Sequence, residues 1–419
     1  MPTVYNISNL KILFSYFSFG IIGISGILIN IIILNFYDIK ILGFFNFFYS
    51  LLIILSQLTV GGIQYSVLKH TSILKDNSKE LSCLVTSGLF LSTVYFFLFF
   101  GIFIFFKDLI YDFFKFSVEL LNIEIVLFAL FLFSLNKIIL MTINGLNLIY
   151  HLSIFNTLRS IILLISIILF VNFKFNPFLI TYCFFFTELI LFSTTFVWFV
   201  NKIGFYLPNT YWIKKNFKFG LQAMIGGALL EINTKLDILI IGILLGYKSV
   251  GIYSFASAIA EGYSHLYTIL KNNIDPILSN DANKKNKKNI FKNIHNIQKN
   301  YVVLIIFAGF LILSLYKPIF LDVFNLDKNL INESWFVLLI IMIFMIFVSF
   351  FRPFIGLLIA LNKPFYFSLI ISFGVFLNIF LNLMLIPIFG NNGAAFSTGI
   401  VFTFETILLY FVGMKFLKK

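Results

Sequence analysis

Residues 12–35 read ILFSYFSFGIIGISGILINIIILN, 24 positions without one charge. As a helix this stretch covers about 36 Å at 1.5 Å per residue, enough to cross roughly 30 Å of hydrocarbon. Inside hydrocarbon only helices and closed barrels satisfy their own backbone polar groups. The stretch lacks the alternation of a barrel strand, so helix is the remaining form. It is also too long for the apolar core of a cleavable signal, and no small-residue cleavage site follows it. It is therefore expected to be the first membrane span.

Runs of the same kind recur near 41–66, 83–106, 120–146, 150–172 and 177–201, then near 218–245, 249–270, 301–325, 335–361, 364–388 and 393–414. The expectation is an all-α membrane protein with about twelve transmembrane helices. Composition agrees: 60% of residues are hydrophobic and 11% charged, far from the quarter charged of a soluble domain. Phe reaches 59 residues, and the 30 basic residues include only Arg159 and Arg352 as arginines. That bias follows coding composition, so a single Phe or Lys carries little meaning. Cys83 and Cys183 sit inside apolar runs with no CxxC pattern, and are expected to be buried thiols. No metal, disulfide or cofactor is expected.

The positive-inside rule orients the chain. With the N-terminus in the cytoplasm, inner segments carry 19 basic residues and outer segments 7, the remaining 4 of the 30 lying within spans. Both termini are then cytoplasmic. The basic linker 202–217 separates an N-terminal six-helix lobe, 1–201, from a C-terminal one, 218–419. Gly43-Phe44-Phe45 after the first span has a counterpart in Gly251-Ile252-Tyr253 after the seventh, 208 residues later. Six is an even number, so the second half re-enters with the same orientation. The two lobes are thus expected to be related by a pseudo-twofold axis along the membrane normal. The polar stretch 271–300 is expected to be a solvated cytoplasmic segment with a short amphipathic helix on anionic lipid. The net charge of +13 needs no nucleic-acid partner.

Ionisable groups inside spans are costly, and usually face a partner or a water-filled cavity. The basic ones are Lys137, Arg159, Lys235 and Arg352; the acidic ones are Glu124, Glu188, Glu231, Asp237, Glu261 and Glu405. Two readings stand. Glu231 with Lys235, four apart on one helix, and Glu188 with Arg159 form ion pairs that fix packing. Alternatively, Lys137, Arg159, Lys235 and Arg352 line a cavity and bind an anionic substrate. Gly20, Gly23, Gly26 and Gly226-Gly227 fit either close helix packing or hinges, and Pro353 is expected to bend the tenth helix. No GxSxG, HExxH or Walker A motif is present, and the four histidines are scattered, so no catalytic residues are expected. A membrane glycan polymerase or ligase is the enzymatic alternative, but the expected outer loops, the longest near 107–119, are short for one.

The stretch Leu236–Gly262, LDILIIGILLGYKSVGIYSFASAIAEG, resembles the seventh-to-eighth-helix pattern of the bacterial polysaccharide repeat-unit flippases (Wzx-type O-antigen exporters). The match lies in Asp237, Leu245-Gly246 and Val250-Gly251-Ile252-Tyr253. A second match follows Asn362: Asn378 and Asn382, Leu385-Ile386-Pro387, Gly390 and Gly393-Ala394-Ala395. These motifs look like packing and turn chemistry. The resemblance implies the multidrug/oligosaccharidyl-lipid/polysaccharide exporter superfamily and a fold of two six-helix lobes about a central cavity. It implies a flippase that moves undecaprenyl-pyrophosphate-linked oligosaccharide repeat units from the cytoplasmic to the periplasmic leaflet of the bacterial inner membrane by alternating access. The expected product is surface polysaccharide, such as the O-antigen of lipopolysaccharide. Expected partners are the lipid-linked oligosaccharide, the bilayer and other glycan-assembly proteins. Related cation-driven exporters suggest Glu188, Glu231, Asp237 and Glu261 as ion-coupling candidates, and a cation-coupled multidrug exporter is the alternative within the same superfamily.

Overall fold

The computed structural model describes residues 3–109, 120–283, 287–361 and 363–418, and holds helices but no strand among them. Helix α1 (Thr3–Phe36) and α2 (Ile39–Val60) are joined by a short turn in which Asp38 caps α2, accepting the Ile41 N–H at 2.8 Å. The apolar run expected as one span over 41–66 is broken. Gly61 and Gly62 take left-handed backbone, with φ of 58° and 73°. The Gly61 N–H closes α2 on the Gln57 carbonyl at 3.0 Å, and the chain restarts as α3 (Ile63–Ile73).

Next come α4 (Ser78–Phe105), α5 (Leu120–Gly145), α6 (Ile149–Asn172), a 3-10 turn at Pro177–Thr181 and α7 (Tyr182–Ile203). They are followed by α8 (Thr210–Leu245), α9 (Tyr247–Asn283) and α10 (Lys287–Lys317), the last extended by a π-helical turn at Pro318–Val323. Helix α11 (Lys328–Val348) ends before a 3-10 turn at Arg352–Phe354 and a single helical turn, α12 (Leu357–Ala360). The interruption expected at Pro353 is present, and begins at Ser349. Helices α13 (Pro364–Phe389) and α14 (Asn391–Lys418) complete the chain.

Each expected apolar run is helical for most of its length, with 41–66 and 335–361 interrupted as described. Among the described residues, 10 helical segments are long and apolar enough to cross a membrane. The expected runs 218–245 and 249–270 lie on α8 and α9, which fall outside those ten. Both carry charge along their length: Lys218, Glu231, Lys235 and Asp237 on α8, and Lys248 and Glu261 on α9. The connection expected at 202–217 is confined to 204–209, because Asn209 caps α8 by accepting the Tyr211 N–H at 2.7 Å. Residues 110–119 of the expected outer loop and 284–286 of the basic stretch 271–300 lie outside the described residues.

The chain packs as two units, Met1–Lys235 and Leu236–Lys419, with the division inside α8. In the first unit α5 is central, packed by α2, α3, α4 and α7, while α1 lies along α6. The membrane window of α5 is 72% buried, the most of any span. In the second unit α14 packs on α11, α12 and α13, and α9 packs on α10 and α11. Helix contacts are made by small polar side chains: Ser56, Thr59, Ser92, Ser134 and Thr142 are all fully buried. Ser134 and Thr59 share a hydrogen bond at 2.6 Å, and Ser92 donates to the Thr59 carbonyl at 3.1 Å. Large side chains such as Phe97, Phe105, Phe307 and Phe380 face outward instead. Small polar residues at helix contacts suit a lipid solvent, and large apolar side chains stand both outside and in the core, where Phe44, Phe48 and Phe199 are fully buried. Cys83 and Cys183 are buried free thiols.

Candidate functional site

In the first unit, Lys137 of α5 and Glu231 of α8 form an ion pair, Nζ to Oε2 at 2.6 Å. Gln57, in the last turn of α2, donates its amide to the same carboxylate oxygen. Gln64 donates in turn to Gln57 Oε1 at 3.4 Å. On a continuous helix residues seven apart stand about 10 Å apart along the axis. The Gly61-Gly62 turn is what folds Gln64 back onto Gln57. That turn lies against α8 with no side chain between: a Cβ on Gly220 would stand 2.7 Å from the Gly61 carbonyl oxygen. Lysine is thus anchored to the helix that runs on into the second unit, through a carboxylate whose side chain is one-third exposed, at 33%. Glu231, expected opposite Lys235 on its own helix, holds Lys137 of α5.

Arg159 of α6 grips Glu188 of α7 with two contacts, Nε to Oε1 at 2.9 Å and Nη2 to Oε2 at 3.1 Å. Glu188 is buried, at 4% exposed. Asn136 of α5 donates to its carboxylate at 2.9 Å and to its backbone carbonyl at 3.0 Å, and accepts from Thr195 at 2.9 Å. The guanidinium stacks over Phe133, 4.6 Å from the ring centroid. A cation alone in a span costs roughly 2.5–3.5 kcal/mol even on lenient insertion scales, and pairing with a carboxylate offsets part of that cost. Lys137 follows Asn136 directly, so α5 contributes one residue to each of the two charged groups.

The second unit holds a different arrangement. Asp237, on α8 and 6% exposed, accepts from three neutral donors: Asn382 Nδ2 at 2.6 Å, Thr398 Oγ1 at 2.6 Å and Tyr253 OH at 3.0 Å. Tyr253 and Thr398 hydrogen-bond one another at 3.0 Å. Asn382 also donates to Asn378 Oδ1 at 2.6 Å, which receives Ser397 at 3.0 Å. Asn382 Oδ1, buried beside the carboxylate, has no hydrogen-bond partner. A buried carboxylate and an unpartnered amide oxygen thus belong to one hydrogen-bonded cluster of side chains from helices α8, α9, α13 and α14.

Arg352 lies within the interruption after α11. Its guanidinium lies between two rings, 5.3 Å from the Tyr267 centroid and 5.4 Å from that of Phe402, and its Nε has no hydrogen-bond partner. Glu405, 7% exposed, fills the space that a side chain at Gly374 would take. Glu261 of α9 and Glu124 of α5 are exposed. Of the residues expected at a site, the structure thus joins Lys137 to Glu231 and Arg159 to Glu188, with Lys235 at the end of the first unit and Arg352 in the second. Gln57, Gln64 and Asn136 are members that their sequence surroundings do not announce. Tyr253, Asn378 and Asn382 belong to the two motif stretches, which supply ligands to a carboxylate as well as packing.

A family model described as polysaccharide biosynthesis protein matches residues 41–324. This chain belongs to the polysaccharide biosynthesis protein family. No curated protein is similar enough to match it. Solved structures of this fold include a lipid II flippase, MurJ, in an inward closed conformation, with a TM-score of 0.78 and 15% identity over 98% of this chain and 89% of that one. An inward-facing multidrug resistance MATE family transporter of the MOP superfamily aligns at TM-score 0.75 and 10% identity, over 96% of this chain and 94% of that one. A MOP superfamily transporter from Pyrococcus furiosus aligns at 0.65 and 13%, over 98% and 96%. The family member described here therefore has the MurJ/MATE fold of two lobes, in a multi-pass membrane chain whose sequence relatives serve polysaccharide biosynthesis.

Proposed function

We propose that this member of the family is a flippase for undecaprenyl-pyrophosphate-linked oligosaccharide repeat units, moving them from the cytoplasmic to the periplasmic leaflet of a bacterial inner membrane by alternating access. The observation that carries this reading is the family match over residues 41–324, in a chain with the fold of a lipid II flippase. Charge supports it: a diphosphate needs cations in a medium of low dielectric, and a glycan cannot cross hydrocarbon unaided. Lys137, Arg159, Lys235 and Arg352 are the residues proposed to bind the pyrophosphate. Lys137 and Arg159 already hold carboxylates, so the substrate's phosphates compete with Glu231 and Glu188 for them. No covalent step, cofactor or nucleotide enters this scheme. Both termini lie in the cytoplasm, and the product feeds surface polysaccharide such as O-antigen.

Asp237 is proposed as the coupling group. It is buried among neutral donors, and the unpartnered Asn382 Oδ1 beside it adds an acceptor for a sodium ion or a proton. Glu188 and Glu231, which hold cations, and the exposed Glu261 are weaker candidates for that role. The same cluster favours one second reading, a cation-coupled multidrug exporter. Disruption of the gene separates them. The flippase reading expects loss of surface glycan with lipid-linked repeat units accumulating on the cytoplasmic side. Units accumulating on the periplasmic side would point to a polymerase or ligase, and intact glycan with new sensitivity to cationic dyes would point to the drug exporter.

A further inference from the structure

The connection between α7 and α8 is held rigidly, yet it presents an apolar surface. Ser82 of α4, fully buried, donates to the Gly204 carbonyl at 2.8 Å and accepts the Tyr206 N–H at 2.9 Å. Ser87, one helical turn and a residue further along α4, does the same for Asn209, donating to its carbonyl at 3.3 Å and accepting its N–H at 3.0 Å. With the backbone clamped at both ends, Phe205, Tyr206 and Leu207 face outward, Leu207 at 77% exposed.

The first turns of α8 continue this surface. Trp212, Asn216 and Gly220, four apart, face inward. Trp212 donates to Glu80 at 2.6 Å, and Asn216 bonds the Leu84 carbonyl at 3.1 Å and Ser66 at 2.7 Å. The opposite face, at i, i+3, i+4 and i+7, is Tyr211, Lys214, Lys215 and Lys218. Lys215 lies over the Trp212 ring at 4.6 Å and donates to the Tyr211 hydroxyl at 3.1 Å, while Lys214, Lys218 and Lys202 at the end of α7 are exposed. No acid occurs between 202 and 230, and the nearby Glu80 is occupied by Trp212. Four like charges on one ordered surface repel each other, and the exposed rings beside them are ill placed in water. Both conditions are relieved at the headgroup level of an anionic leaflet, where aromatic rings settle and Lys finds phosphate.

We propose that this surface, Lys202 to Lys218, is a docking site for anionic phospholipid, which fixes the α7–α8 connection to the leaflet. It depends on the fold alone and not on what the protein transports. The test uses Trp212, which touches Lys215. The full chain carrying Trp198→Phe and Trp335→Phe is placed in bilayer discs containing brominated phosphatidylglycerol or, at equal mole fraction, brominated phosphatidylcholine. Several-fold stronger quenching of Trp212 by the anionic lipid is expected, falling to parity when Lys202, Lys214, Lys215 and Lys218 are all changed to Gln. Equal quenching in the two lipids, or a preference that survives the four changes, overturns the proposal. Relief of quenching by free glycerol phosphate also overturns it, since the site would then take soluble phosphate. Where the tryptophan variant does not fold, thermal unfolding of the chain with all its tryptophans replaces it. Anionic lipid should raise Tm for that chain and not for the four-Gln variant, and equal shifts for both reject the site.

Discussion

Asn382 and Asp237, 145 positions apart, meet at 2.6 Å in the interior of the second unit. The asparagine spends both amide hydrogens, one on Asp237 and one on Asn378, which leaves its own carbonyl oxygen unpartnered beside the carboxylate. If this cluster couples transport to an ion, removing the charge uncouples it. Asp237→Asn is expected to lower the initial transport rate at least about tenfold, since hydrogen bonds to a charged group contribute about 1.5–3 kcal/mol. The rate that remains should no longer depend on sodium or on pH. Transport by reconstituted vesicles under imposed gradients reads both. An Asp237→Asn protein that keeps its ion dependence excludes this carboxylate as the coupling group.

The two ion pairs of the first unit differ in depth, and their variants should differ accordingly. Arg159→Ala leaves Glu188 buried and charged, a change that destabilises by about 3–5 kcal/mol in comparable buried pairs. Lys137→Ala leaves Glu231 one-third exposed and still bonded by Gln57, so its penalty should be clearly smaller. Thermal unfolding in bilayer discs should rank Arg159→Ala well below Lys137→Ala. The exchange Lys137→Glu with Glu231→Lys should restore most of the Lys137→Ala loss in Tm. If it also restores transport, the pair is structural and Lys137 is not a phosphate ligand.

Much of this fold is written locally. A run such as 12–35 is a span because each residue in it is apolar, and nothing distant has to be known. The Gly61-Gly62 turn is less plain: hydropathy already falls over 56–66, SQLTVGGIQYS, but it is the left-handed backbone and the contact with Gly220 that place the break. Once the break is missed, Gln57 and Gln64 are two unrelated amides. The site charges are legible as costly residues, and Arg159–Glu188 follows from neighbouring helices. Lys137–Glu231 does not, because the i,i+4 rule offers Lys235 first and Lys137 lies 94 positions away. Tyr253 and the paired Asn378 and Asn382 stand in sequence as turn and packing residues, since nothing local ties them to Asp237.

The glycine turn gives a prediction about backbone rather than charge. Gly61 and Gly62 have similar φ, so Ala at either meets the same left-handed penalty of about 1–2 kcal/mol. Their surroundings differ. A Cβ on Gly61 would press on the movable Tyr95 ring, whereas one on Gly62 would press on the α8 backbone, including Met224 N at 2.8 Å. Gly62→Ala should therefore lower Tm markedly more than Gly61→Ala. Equal losses would mean that α8 yields easily at this point.

Buried native thiols make topology easy to read, because Cys83 and Cys183 offer little background to a membrane-impermeant maleimide. Pro208→Cys, on the connection before α8, should be modified only from the cytoplasmic side. Lys174→Cys, exposed between α6 and the Pro177 turn, should be modified only from the periplasm. Labelling of position 208 from outside would reverse the orientation drawn from the lysine distribution.

The sharpest test of the transported chemistry concerns Lys235 and Arg352. Arg352 is held by ring faces, 5.3 and 5.4 Å away, and its Nε is unspent. The carboxylate of Glu405 also acts on this guanidinium, so a substrate anion would compete with it for the charge. Arg352→Lys keeps the charge and loses the planar fork, which is the part that recognises phosphate by two parallel hydrogen bonds. If the pair binds pyrophosphate, Lys235→Ala with Arg352→Ala should reduce glycan export more than about tenfold, the loss of one charge-assisted contact already being worth that much. Membrane abundance should stay near that of the unaltered chain, and Arg352→Lys should recover only part of the activity. Undiminished export by the double variant rejects these two residues as substrate ligands, while leaving the fold and the family untouched.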